Sequence, residues 1–321
     1  MDGAMMRQRS RADESATTAA ANESANESAQ AASPSAYAAA EIQLEALIDL
    51  AAFPIHDLAS PARAELVAHC RAEIDAVGCS HIPGFIRADA VRAMRVEAHR
   101  LMPRARPADD RINPYLTADD PSLPADHPKR IFAARTSSFI NSDLLEPDSL
   151  LRKIYDSDVM VHFVGECLGV APIYRWADPL GRNPYGVMRD GDNFPWHFDG
   201  NDFTVSILVQ QSDHGGDFEY CPDIRSARAE NFDRVRQVLH GAREPVRVLT
   251  LRTGDLQLFR GRYSLHRVTP PRGPNPRIIA LPTYVTNPYL VNRPHHAKAF
   301  YGRAMKIHIE REMARSDSLA D

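Results

Sequence analysis

The chain is defined first by what it lacks. Its 321 residues hold no apolar run near the roughly 20 residues that a membrane-spanning helix needs, so no membrane partner is expected. Cysteine is scarce: Cys70, Cys79, Cys167 and Cys221 are all there are, and none forms a CxxC pair. That argues against a disulfide framework and against a thiolate metal site, and it leaves reduced thiols in a cytoplasmic protein as the expectation. Basic excess is missing too, with 38 Lys and Arg against 42 Asp and Glu, a net charge of −4 and a pI near 6.4. No nucleic-acid partner is therefore expected, whereas a small substrate held in a local basic pocket stays compatible. The N-terminus carries some positive charge but no apolar segment behind it, so a secretory leader is not expected either.

What is present is a hydrophobic content of 44%, enough for a domain with a substantial core. Residues 1–40 are dominated by Ala, Ser, Glu, Asn and Thr and read as a disordered tail, with a single domain over 41–321. The first part of that domain, about 41–175, reads as helical. Ser60-Pro61 supplies an N-cap followed by a first-turn proline, and the apolar spacing after it stops at Gly78. Further helices are expected over about 88–102 and 148–168. Between them, 103–147 is rich in Pro, Asp and Ser and reads as a long loop or lid. From about 180 to 290 the texture changes to short β-branched runs broken by turns: 203–210, 246–251, 256–259, 264–269 and 277–285. A helix over about 228–241 interrupts them, and a last one is expected over about 296–314. The class is α+β, a helical layer packed on a sandwich or barrel.

One constellation in the β-rich part carries chemistry. His197 and Asp199 stand one residue apart in Phe194-Pro-Trp-His-Phe-Asp-Gly, and residues i and i+2 of a strand share a face. A second strand, Ser264-Leu-His-Arg-Val-Thr, brings His266. Two imidazoles and one carboxylate are the facial triad of non-haem iron, which leaves metal positions open for a chelating cosubstrate and O2. Arg277 opens the strand after Pro270-Pro-Arg-Gly-Pro-Asn-Pro, and hairpin neighbourhood would bring it close to His266. Its guanidinium suits the distal carboxylate of 2-oxoglutarate, gripped by two parallel hydrogen bonds.

Other candidates are weaker. His308 and Glu310 fall on a helix, where i and i+2 diverge, and the adjacent His295 and His296 read as solvated or structural. His214 lies in a glycine turn. Trp196, Asn201, Asp202 and Arg260 flank the ligands and could meet substrate, although alternation turns Trp196 and Asp202 outward. Arg262 and Arg267 read as strand-surface cations.

Taken with these residues, the chain resembles the 2-oxoglutarate-dependent oxygenases, and within them the HalD/BesD-type amino-acid halogenases and their hydroxylating relatives. The resemblance runs from about 110 to 305. It rests on Tyr115-Leu with Asp119-Asp-Pro-Ser-Leu-Pro, Trp176-Ala-Asp-Pro-Leu-Gly, Trp196-His-Phe-Asp, Gly215-Gly-Asp-Phe-Glu-Tyr and Gly254-Asp-Leu-Gln-Leu-Phe-Arg-Gly-Arg-Tyr-Ser-Leu-His-Arg-Val. It implies a double-stranded β-helix, the jelly-roll or cupin-like barrel. It also implies Fe(2+) on His197, Asp199 and His266, with 2-oxoglutarate on Arg277 as cosubstrate beside O2. Halogenating members carry glycine where this chain has Asp199, so the expected chemistry is hydroxylation by a dioxygenase. The expected substrate is an amino acid or small derivative, and the coproducts are succinate and CO2. Desaturation on the same iron, and a non-catalytic cupin-like binding protein, are the alternatives; a zinc hydrolase would need a general base that the sequence does not offer.

Overall fold

In chain order the strands are β1 (Cys79–Ile82), β2 (Arg106–Pro107), β3 (Asp110–Ile112), β4 (Ala133–Arg135), β5 (Ser138–Ile140), β6 (Tyr174–Arg175), β7 (Tyr185–Met188), β8 (Phe194–His197), β9 (Thr204–Gln210), β10 (Phe218–Cys221), β11 (Arg247–Leu249), β12 (Leu256–Phe259), β13 (Leu265–Val268), β14 (Arg277–Ala280) and β15 (Tyr284–Val285). The helices are α1 (Pro61–Val77), α2 (Ala88–Leu101), α3 (Leu150–Asp156), α4 (Asp158–Leu168), α5 (Phe232–Leu239), α6 (Pro294–Tyr301) and α7 (Lys306–Met313). This computed structural model describes residues 44–314, and the tail expected over 1–40 lies outside them.

Two antiparallel sheets hold the fold. One runs β1-β12-β9-β14-β7-β5-β2 and the other β11-β10-β13-β8. From β7 to β14 the chain changes sheet at every connection except that between β10 and β11. This wrapping makes a double-stranded β-helix, with a space enclosed between the sheets. The class is α+β, as the sequence implies.

Apart from its exposed edge strand β2, the larger sheet is largely buried, with an apolar face against the helices and a face of mixed polarity toward the interior. Val205, Ile207 and Val209 of β9, Leu256 and Leu258 of β12, and Ile278 and Ala280 of β14 share one core with Val67, Cys70 and Ile74 of α1, Met94 and Ala98 of α2, and Phe163 and Val164 of α4. The alternate residues Ser206, Gln257, Phe259, Arg277 and Ile279 face the enclosed space. The period of two thus sorts each strand into a helix-packed side and a functional side.

Local signals position the helices. Ser60 Oγ accepts from the Arg63 backbone, and Gly78 closes α1 in the left-handed region at φ 70°. The helix expected over 148–168 is two: Ser157 is extended, closes α3 and caps α4 through Met160 N. The last helix is also broken, at left-handed Gly302. The 103–147 segment is not simply a loop. Its Ser138–Ile140 stretch pairs with β7 and, with Arg106–Pro107, extends the larger sheet at its edge. The four cysteines are buried free thiols. No helix among the described residues is long and apolar enough to cross a membrane.

Candidate metal centre

His197 ends β8 and stands directly opposite His266 on β13, so one cross-strand pair carries both imidazoles. Their ring centroids lie 4.1 Å apart. Asp199 sits two residues past the strand, where its amide donates to the Gly261 carbonyl at 3.1 Å. That bond turns the carboxylate back toward the imidazoles. Asp199 Oδ1 is 3.6 Å from His197 Nε2 and 3.4 Å from His266 Nε2. Among the described residues these three form the group of potential ligands whose donor atoms lie within 4.8 Å of one another.

The surroundings fix which atoms are offered. His197 Nδ1 donates to the Pro195 carbonyl at 2.8 Å, and His266 Nδ1 donates to the Ser264 carbonyl at 3.0 Å. Because a carbonyl can only accept, each Nδ1 carries the hydrogen and each Nε2 keeps its lone pair for the shared point. Asp199 Oδ2 accepts from Thr204 Oγ1 at 2.5 Å, which leaves Oδ1 free to ligate. Burial drives the Asp199 carboxyl upward, but the two imidazoles against it, His266 foremost, prevail and hold it well below the usual carboxylate range. Burial, with His266 beside it, lowers the His197 imidazole and so favours the neutral ring that metal ligation requires. A carboxylate and two Nε2 lone pairs on one side of a point fit a divalent first-row metal and leave its far side open.

Arg277 joins this group from the opposite wall. Sequence spacing suggests hairpin neighbours, yet β13 and β14 belong to different sheets. The proline-rich linker carries the chain across the barrel, so Arg277 and the triad meet over its interior rather than along a hairpin. All four residues line one cavity of about 270 Å3. The guanidinium is buried and its Nε donates to the Gly216 carbonyl at 2.9 Å. No other hydrogen bond holds it among the described residues. Burial, partly countered by nearby Asp217, brings it down to about 10. An ionised arginine without a direct salt-bridge partner is a receptor for a carboxylate.

The flanking candidates separate. Asn201 lines the cavity. Trp196 lies under the Arg267 guanidinium at 4.7 Å, and Arg267 is paired with Glu219. Arg260 pairs with Asp75, and Arg262 with Asp202 and the Gly200 carbonyl. Exposed His214 bridges Arg272 through its backbone, while His308 is buried against Asp178. His296, which reads from sequence as solvated or structural, lines the cavity along with Trp176 and Tyr301. Nothing in an adjacent His-His pair signals that one ring turns inward. Thr204 and Gly261 also escape as supports of Asp199, although Thr204 lies in the 203–210 strand run and Gly261 inside the quoted stretch that begins at Gly254.

Residues 62–299 match the model of a family described as Halogenase D. No curated protein sequence matches the chain. Among solved structures, the chain is similar to AviO1 from Streptomyces viridochromogenes Tue57, at 17% identity over 74% of this chain and 100% of that one, with a TM-score of 0.47. It is also similar to a Pseudomonas putida prolyl-4-hydroxylase, at 14% identity over 67% and 97% of the chains, TM-score 0.43. HygX from Streptomyces hygroscopicus, solved with nickel, 2-oxoglutarate and hygromycin B, matches at 14% identity over 65% and 83%, TM-score 0.44.

Proposed function

The chain belongs to the Halogenase D family of non-haem iron, 2-oxoglutarate-dependent enzymes, and from that premise we propose that it hydroxylates an unactivated C–H bond of an amino acid or small amino-acid derivative. The observation that carries this reading is the position of Asp199 Oδ1, within 3.4–3.6 Å of both Nε2 atoms. A carboxylate there completes a three-residue ligand set and sets a negative charge where a halide would have to bind. That charge favours oxygen transfer over halogenation.

In this reading His197, Asp199 and His266 hold Fe(II), and Arg277 anchors the distal carboxylate of 2-oxoglutarate. The group so held supplies oxidation by O2, with 2-oxoglutarate decarboxylated to succinate and CO2 and one oxygen atom delivered to substrate. The chain's own residues do the positioning. The Pro195 and Ser264 carbonyls keep both imidazoles in the tautomer that presents Nε2. Thr204 holds Asp199 Oδ2 and so aims Oδ1 at the metal. Gly216 fixes the Arg277 fork through Nε, which leaves both terminal nitrogens for the carboxylate. Phe218, Phe259 and Val268 line the space between the sheets and exclude water from it.

The test is reconstitution with Fe(II) and 2-oxoglutarate without O2, followed by admission of O2 in chloride buffer. Succinate formation and a product heavier by one oxygen are expected, both lost in Asp199→Ala. A chlorinated product would overturn the assignment, as would turnover with zinc in the absence of O2.

A further inference from the structure

The inner face of the larger sheet carries a polar pair that neither the metal triad nor Arg277 uses. On β9 the alternate residues Thr204 and Ser206 face the cavity, and on β12 Phe259 and Gln257 face it directly opposite them. Ser206 and Gln257 are both buried. Met188, Phe259 and Ile279 make much of the surrounding inner face apolar.

Strand register fixes where the pair lies. Thr204 marks the metal end of β9, because its hydroxyl donates to Asp199. Phe259, opposite Thr204, stands against His266 with ring centroids 4.8 Å apart. Arg277 marks the other end: its neighbour Ile278 pairs with Gln210, the last residue of the strand that Thr204 begins. Ser206 and Gln257 sit one inward position past Thr204 and Phe259, in the direction of Gln210. The pair therefore occupies the sheet between the triad and the guanidinium.

Its hydrogen bonds leave a donor over. Ser206 Oγ donates to Gln257 Oε1 at 2.9 Å, which sets the orientation of the amide. Gln257 Nε2 carries two hydrogens, and the partner it meets is Cys79 Sγ at 3.5 Å. Burial pushes that thiol up to about 12, so the sulfur is uncharged and a weak acceptor. No other hydrogen bond takes an N–H of this amide among the described residues.

We propose, resting on the oxygenase reading above, that Gln257 is a second anchor for 2-oxoglutarate: its amide donates to the oxo-acid end while Arg277 takes the distal carboxylate, and Ser206 orients the amide. A dicarboxylate held between metal and arginine has to pass over this stretch of the sheet. An oxo acid offers only acceptors there, and a buried neutral donor meets them without the desolvation cost of a second cation. An apolar side chain at position 257 would leave carboxylate oxygens facing hydrocarbon. Ser206 is a positioning residue that acts through Gln257. Without its hydroxyl the amide is released to turn Oε1 toward the anion, which that oxygen repels.

The experiment uses the full chain loaded with Fe(II) without O2 and titrated calorimetrically with 2-oxoglutarate. Gln257→Met keeps the length of the side chain and removes its donor. It should weaken 2-oxoglutarate about 10- to 100-fold, the loss expected for a hydrogen bond to a charged group, with Fe(II) affinity held within about twofold. Ser206→Ala should weaken 2-oxoglutarate about threefold or more in the native background, and not at all beside Gln257→Met, where no amide is left to orient. A loss below about tenfold in Gln257→Met overturns the proposal, as does an equal loss of Fe(II) affinity or an additive loss in the double variant. Where Gln257→Met does not fold, Ser206→Ala decides alone, and an unchanged affinity for 2-oxoglutarate overturns the proposal. Failure of the oxygenase reading is seen separately, as a native protein that takes up Fe(II) but shows no binding of 2-oxoglutarate.

Discussion

Gly261 and Asp199 touch so closely that one added methyl has no room: an ideal Cβ on Gly261 would lie 2.0 Å from Asp199 Oδ2 and 2.7 Å from its Cγ. The backbone of Gly261 also receives the Asp199 amide, so carboxylate and loop are locked together. Gly261→Ala must therefore push the carboxylate off its position. Metal affinity should fall about 10- to 100-fold, the usual range for a support of a metal ligand. Fe(II) titration followed by calorimetry checks it, with the thermal midpoint recorded to show that the barrel persists.

The role proposed for Arg277 separates cosubstrate binding from metal binding. Lysine cannot hold the Gly216 carbonyl and also offer two parallel donors. Arg277→Lys should weaken 2-oxoglutarate about 10- to 100-fold, the value of a lost charge-assisted bond of roughly 1.5–3 kcal/mol. Fe(II) affinity should stay within about twofold. Equal losses of both would show that Arg277 shapes the metal site instead.

Asp178 is a buried hub. Its side chain is fully shielded, and its two oxygens take four hydrogen bonds at 2.9–3.0 Å. His308 Nδ1 accepts from Met305 N, so Nε2 carries the hydrogen that Asp178 receives. Asp178→Asn would set an amide N–H against existing donors and should destabilise the fold by about 2–3 kcal/mol in urea denaturation. The hub supports Gly181, against which Tyr301 and Trp176 pack, so the KM for the organic substrate should rise while that for 2-oxoglutarate holds.

His296 sets an acid limit. Folded, it stays neutral down to about 4, whereas the unfolded chain takes up this proton from about 6.5. Between those values the unfolded state binds more protons, so this residue makes stability fall as pH falls from 6.5 towards 4. His296→Gln should flatten that part of the curve. Urea midpoints at pH 7 and pH 5 in both proteins check it, and an identical loss in the two would refute the assignment.

The triad was legible because its signal is local: one HxD at a strand end, one histidine in a short apolar strand, one arginine opening the next. The helix start at Ser60-Pro61 and the stop at Gly78 are legible for the same reason. What escaped depends on contacts remote in sequence. Spacing alone places Arg277 beside His266 along a hairpin, whereas the two meet across the cavity, because the linker crosses from one sheet to the other. Ser157 reads as a tolerable helix residue until its cap to Met160 is seen. The aromatic lining of the cavity gathers Phe139, Trp176 and Phe300 from three separated segments, which no periodicity connects.

The pairing of His197 with His266 also orders events during folding. Four strands, β9 to β12, separate the two histidines along the chain, so a nascent polypeptide holds only part of the ligand set until β13 docks beside β8. Loop closure of that length is the entropic hurdle, and it is crossed before any ion can be coordinated by all three side chains. Metal occupancy therefore stabilises the closed barrel selectively, by about 2.7 kcal/mol at a free ion concentration a hundred times the dissociation constant. Iron supply and the lifetime of the folded protein become linked quantities.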